Sequence, residues 1–189
     1  MGAFSLVKES TFSELQLEAG TLLKTFDPAA PAIADEAIIC ATTGGITPVC
    51  NATYSDYGAD VDNCPNNMLE FKKLDGWDCS LAFTALNVTA ETIKLALGAA
   101  DVSENEAKIV PRSEVKETDF ADIWWVGDRS DGKVVAIRLM NALSTGGFSL
   151  KTTKNGKGQL SVTLTGHYSL KAQKVVPMEF YVADVPEEG

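Results

Sequence analysis

One histidine, four widely spaced cysteines and a loop carrying three aspartates are the residues of this chain whose types could do chemistry. A catalytic imidazole needs a nucleophile and an orienting acid within hydrogen-bond reach, and no spacing around His167 supplies either. His167 falls in the alternating segment QLSVTLTGHYSLK, on the side of Ser161, Thr163, Thr165, Ser169 and Lys171 and opposite Leu160, Val162, Leu164, Tyr168 and Leu170. It is expected as a polar residue on a solvated sheet surface. Cys40, Cys50, Cys64 and Cys79 include no CxxC pair and have no histidine near them, which argues against zinc. They are read as small, reduced hydrophobes, and Cys79 shares its phase with Trp77, Leu81 and Phe83. Asp56, Asp60 and Asp62 lack the glycine and the closing glutamate of a calcium loop. The glycine pairs at Gly44 and Gly146 are not followed by the Lys-Ser or Lys-Thr of a phosphate loop. Catalytic residues, cofactor-binding residues and metal ligands are therefore all predicted as none, and an enzyme is disfavoured.

The composition narrows the class further. The chain has 189 residues, 45% of them hydrophobic, with 26 acidic and 16 basic side chains for a formal charge of −10. That supports one core of common domain size. No apolar run approaches the roughly 18 residues of a membrane span, and no membrane association is expected. An acidic chain is repelled by phosphate backbones unless a basic patch intervenes. The nearest candidate, Lys151, Lys154 and Lys157 in KTTKNGKG, reads as a solvated loop. The opening MGAFSLVKESTFSEL lacks the basic region and apolar run of a secretory signal, so the chain is expected to remain in the cell that makes it. The acceptor patterns at Asn51 and Asn87 then carry no glycosylation.

The elements follow from periodicity. Residues 1–35 read as an N-terminal arm holding a first short strand at 21–26, broken by the prolines of FDPAAPAIAD. Residues 36–42 and 46–54 read as a strand pair turned at Gly44-Gly45. Residues 55–67 (SDYGADVDNCPNN) read as a long exposed loop. In GWDCSLAFTAL, Trp77, Cys79, Leu81, Phe83 and Ala85 alternate with polar or small residues, the period of a half-buried strand. A short helix is predicted over 89–98, with Thr89 as cap, Glu91 in its first turn, Ile93, Leu95 and Leu97 as apolar contacts and Gly98 as its stop. Residues 119–127 and 133–141 form a hairpin about Asp131-Gly132. Residues 147–153 and 159–170 form another, residues 178–182 are the last strand, and 184–189 are a C-terminal tail. The fold class is mainly β: a β-sandwich or distorted barrel with one short flanking α-helix, an N-terminal arm and a long exposed loop.

The order of these segments resembles a known family. LEAGTLLKTFD (17–27), ATTGGITPVCNATY (41–54), LDGWDCSLAFTALNVTAETIKLALGAADV (74–102), DIWWVGDRSDGKVVAIRLMNALSTGGFSLKTT (122–153) and GKGQLSVTLTGHYSL before MEFYV together resemble the tail tube protein, or major tail protein, of long-tailed bacteriophages with non-contractile tails. The resemblance implies a tail-tube β-sandwich domain over 36–183 and a structural virion protein made in the host bacterial cytoplasm. It also implies hexameric rings stacked into a hollow tube that conducts DNA during ejection without binding it specifically. The implied partners are further copies of the chain, a tape measure protein, a tail terminator and distal tail proteins. Candidate ring-stacking elements are the arm before Pro31, the loop 55–67 and the tail from Asp184. With six copies at −10 each, a bore would repel DNA. The Ser/Thr face with His167, or the face with Arg138, would line either the bore or a subunit contact.

Two alternatives accompany this reading. One is the inner tube protein of a contractile tail or injection device, which has the same fold inside an outer sheath. The other is a monomeric ligand-binding β-sandwich using Trp77, Trp124 and Trp125 as stacking platforms. Trp77 lies on an apolar strand face, and alternation allows only one of Trp124 and Trp125 to point inward. The outward one is expected at a subunit contact.

Overall fold

A computed structural model describes residues 7–184. The first six residues of the arm, and the predicted tail beyond Asp184, lie outside the described residues. Ten strands and one α-helix follow in chain order: β1 (Thr21–Leu23), β2 (Thr42–Asp56), β3 (Lys72–Ala85), α1 (Ala90–Leu97), β4 (Ala100–Val102), β5 (Ile109–Pro111), β6 (Ala121–Asp128), β7 (Lys133–Ser144), β8 (Ser149–Lys151), β9 (Gln159–Thr165) and β10 (Met178–Asp184). Eight strands form one open antiparallel sheet in the order β1-β6-β7-β9-β3-β2, with β10 added to β7 and β8 to β9; β4 and β5 make a separate small ribbon. The fold is a distorted β-sandwich with one short helix.

The sheet becomes a sandwich at β7. Most of β7 pairs with β6 and β10, while its last residues, Leu143 and Ser144, pair with Thr165 and Leu164 of β9. One layer therefore holds β1, β6, β7 and β10, and the other β2, β3, β9 and β8. Alternation supplies the core between them. Cys79, Leu81, Phe83 and Ala85 of β3 and Leu160, Val162 and Leu164 of β9 meet Ile123 and Trp125 of β6 and Ile137 and Leu139 of β7.

A bulge produces the bend. In the β6–β7 ladder Ala121 opposes Ala142 and Ile123 opposes Leu139, so Met140 and Asn141 together face Asp122. Asn141 takes φ +47, in the left-handed region that asparagine tolerates. The extra residue shifts the phase by one, and Ala142, rather than Asn141, continues the buried row after Leu139. The Asn141 N–H donates to Asp122 Oδ1 (3.0 Å), and its Nδ2 donates to the carbonyl of His167 (3.0 Å). His167 Nδ1 lies 3.1 Å from the Asn141 carbonyl, and its ring meets Phe120 edge-on.

Several expectations are corrected. Gly44 and Gly45 do not turn the chain: both have positive φ, and the register shift between Thr43 and Ile46 makes them a bulge within the single long strand β2. Of residues 36–42 only Thr42 joins a strand, as the first residue of β2. A short 3-10 turn occupies Asp35–Ala37, and Ile38 bridges to Leu23 beside β1. β9 ends at Thr165, so His167 sits not on a sheet surface but in the loop that buttresses the bulge, while Tyr168 and Leu170 are exposed. The helix forms with the expected cap: Thr89 accepts from the Thr92 N–H, and Gly98 stops it at φ +74. Its buried residues are Thr92 and Ala96, with Ile93, Leu95 and Leu97 half-buried.

The outward tryptophan is the largest correction. Trp125 faces the core and donates from Nε1 to the Ala19 carbonyl (2.9 Å); the backbone passes so close that Gly20, at φ +71, has no room for a side chain. Trp124 points to the other face, yet is only 7% exposed. Phe26 packs edge-on against it, Tyr181 tilts over it and the Arg138 guanidinium stands 5.5 Å from its ring. Arg138 in turn pairs with Asp122 (2.6 Å) and Glu179 (3.1 Å), which raise its pKa above the ordinary value; the Asp122 hydrogen bond is the larger cause. The segment following β1 thus roofs the outer face, and Trp124 packs within the subunit rather than standing free. Trp124→Ala should lower the stability of the isolated subunit by about 3–5 kcal/mol in urea titration, against about 0.5 or less for an exposed side chain.

Candidate assembly surface

Beyond the reach of β9, the β2–β3 hairpin leaves the body. β9 pairs with β3 only from Ser80 to Ala85, whereas β2 and β3 stay paired as far as Asp56 and Lys72. Across residues 50–78 only Gly58 is buried. The result is a two-stranded arm wetted on both faces. Two-stranded ribbons are marginal on their own, and this one carries exposed apolar side chains: Tyr54, Tyr57, Val61, Leu69, Phe71 and Leu74, with Leu69 84% exposed.

The tip is ordered by one carboxylate. The predicted loop 55–67 is shifted, because Ser55 and Asp56 belong to β2 and the connection spans residues 57–71. The Tyr57 N–H donates to the Phe71 carbonyl (3.0 Å), closing the ladder. Asp56 then accepts from the N–H groups of Gly58 (3.0 Å) and Asn67 (2.9 Å), with Lys72 Nζ at 3.5 Å. These bonds, led by that from Asn67, hold its carboxyl below the usual carboxylate range. Asp60 and Asp62 take no part, and no group of three or more metal-ligating side chains exists among the described residues.

The two long edge strands are β2, which ends the strand order, and β10, which has β7 on one side only; the three-residue strands β1 and β8 are the other edges, and β1 is flanked by residues 37–39. On β10, Phe180 and Val182 follow the phase of the buried Met178, yet both are 61% exposed because the opposite layer does not extend over them. The polar face expected to carry His167 is made instead by register. Ser80, Ala82 and Thr84 of β3 stand beside Thr165, Thr163 and Ser161 of β9, and Thr47 of β2 opposes Ala82. Segments 42–51, 78–85 and 159–165 contain no lysine or arginine, and their one acid is Asp78. The Arg138 face, by contrast, is closed by the roof over Trp124.

The remaining candidates do not converge. Cys40 and Cys79 are buried, and burial pushes their thiols up to about 11 and about 12, the reverse of an activated nucleophile. Trp77 packs against the core cluster. A cleft of about 300 Å³ lies between α1 and β6–β7, with Ile39, Leu95 and Ile123 on its floor and Lys24 and Glu91 paired at its rim (2.6 Å). None of the three tryptophans lines it. No helix among the described residues is long and apolar enough to cross a membrane.

Fold and surface together define an open-edged β-sandwich with a projecting hairpin arm. No family model matches the sequence, and no curated protein matches it. Among solved structures the chain is similar to one described as "Virion of native gene transfer agent (GTA) particle", at 10% identity and a TM-score of 0.43, over 86% of this chain and 95% of that one.

The order of the tip depends on an ionised Asp56. Because its pKa is lowered in the folded state, the stabilisation is present above the ordinary carboxylate pKa of about 4 and is lost as pH falls through the lower folded value. The amide resonances of Gly58 and Asn67 should move together, with an inflection below pH ~4. In Asp56→Asn the inflection disappears and both amides exchange faster.

Proposed function

We propose that this chain is the subunit of a phage-type tail tube: a structural virion protein whose copies join edge to edge into closed rings, and whose rings stack into a conduit for DNA. The observation that carries the reading is the pair of long edge strands in the two layers of one sandwich, β2 and β10, combined with an arm whose residues beyond its root stay exposed among the described residues. Long unpaired edges on a monomer invite indiscriminate pairing. A ring removes them, since a heterologous contact repeated by rotation closes on itself. The exposed Phe180 and Val182 beside the β10 edge would be covered in that contact. The hexameric count follows the family resemblance.

The arm is assigned to contact between successive rings. Its exposed apolar side chains run from the Tyr54–Leu74 pair to Tyr57, Val61, Leu69 and Phe71 of the tip, as expected of a segment that inserts against neighbours. The hydroxyl-rich face of β2, β3 and β9 is assigned to the bore. A surface of serine and threonine without cations offers phosphate no ion pair, and the acidic net charge of the chain repels it at longer range. A conduit of this kind passes DNA without retaining it. The tape measure, terminator and distal tail proteins are the partners that would set length and cap the ends.

Phe180→Glu with Val182→Glu places two charges beside the β10 edge. The variant should fold with an unchanged circular dichroism spectrum and sediment as a monomer where the unmodified chain associates; association equal to that of the unmodified chain would remove β10 from the ring contact. Replacing residues 57–71 with a short turn should leave rings that no longer elongate, and normal tubes would refute the role given to the arm.

A further inference from the structure

We propose that Cys50 and Cys79 form a disulfide bond when the protein passes into oxidising surroundings, stapling the root of the hairpin arm. The two residues oppose each other in the β2–β3 register, and their sulfurs are 3.3 Å apart. Directly opposed residues on antiparallel strands have Cα atoms about 4.5–5.5 Å apart, inside the span of about 4.4–6.8 Å that a disulfide bridges. Closing the bond needs only a small approach of the sulfurs, with no change of register. Cys64 lies away at the tip, 3.4 Å from Met68 Sδ. This inference stands on the cysteine geometry and does not depend on the tube reading.

The location gives the bond its consequence. The last pair between β3 and β9 is Ser80 with Thr165, and the Gly166 N–H donates to the Cys79 carbonyl (2.9 Å). Cys79 is thus the residue at which the third strand ends and the two-stranded arm begins. In the reduced protein the root is held by non-covalent contacts: the β2–β3 ladder, the Gly166 N–H on the Cys79 carbonyl and the Trp77 N–H donated to the Tyr168 hydroxyl (3.1 Å). A disulfide there ties the two strands covalently and encloses residues 51–78 in one loop, restricting opening of the arm from its base.

The chemistry proceeds by thiol–disulfide exchange with a glutathione-type disulfide as oxidant. Cys50 is half-buried and Cys79 is 1% exposed, which makes Cys50 the point of entry. The Cys50 thiolate attacks the oxidant, forming a mixed disulfide and releasing one glutathione thiolate. The Cys79 thiolate then attacks Cys50 Sγ and releases the second. Two protein thiols lose two protons and two electrons, and the oxidant is reduced to two molecules of glutathione. Burial holds the Cys79 thiol high, so the second step should accelerate with rising pH.

The test exposes the purified full chain to oxidised glutathione, quenches in acid, counts free thiols after unfolding and maps tryptic fragments. Of the four cysteines, two should be lost, with fragment 25–72 linked to fragment 74–94. Because fragment 25–72 contains Cys40, Cys50 and Cys64, two variants assign the bond. Cys64→Ser should still lose two thiols and give the linked fragments, and Cys50→Ser should keep all its thiols. Four free thiols in the unmodified protein, or linked fragments from Cys50→Ser, would overturn the proposal.

Discussion

The bulge at Met140–Asn141 is the constraint on which the sandwich depends. A regular β7 would place Asn141 in the buried row and continue straight past β9. With two residues set against Asp122, the strand changes phase, Ala142 enters the core, and Leu143 and Ser144 reach the ladder of the second layer. The left-handed backbone of Asn141 is retained because its polar groups are satisfied there: Asp122 takes its N–H, the His167 carbonyl takes its amide, and the His167 ring rests on Phe120. The only histidine of the chain therefore serves architecture. The same Asp122 holds Arg138 over Trp124, so the bulge and the roofed outer face share one carboxylate.

That architecture leaves a specific remainder. One layer is covered inside by the core and outside by the Phe26 segment, except at Phe180 and Val182 of β10, which stay exposed. The other is apolar inside and hydroxyl-rich outside, and it extends into an arm that stays exposed among the described residues. Stability is concentrated in the body, where alternation is strict, and the arm belongs to the locally weak end of the structure. The arm and the edges are the surfaces that the proposed tube subunit would complete through copies of itself.

How far the sequence could be read depended on whether the signal was local. The alternation of Trp77 to Ala85, the Asp131-Gly132 hairpin and the capped helix at Thr89 are local patterns, and each stands where the sequence places it. Gly44-Gly45 misleads because two glycines serve a bulge as well as a turn, and only the register with β3 separates them. Trp124 misleads for a related reason. Alternation gives its direction correctly, but its cover comes from Phe26, nearly a hundred residues earlier. The small ribbon of β4 and β5 has too few residues to show a period. For the assembly surface, the polarity of the 55–67 loop was legible. The length of the arm, the open edges and the apposition of Cys50 with Cys79 emerge only from strand pairing.

The most direct measurement is sedimentation velocity of the unmodified chain across a wide concentration series, with electron microscopy of the same samples. Open edges that close in a ring predict a shift from monomer to one discrete larger species, seen as rings of a single diameter with a central bore, and then to hollow filaments. A particle that remains monomeric at every concentration would contradict the account.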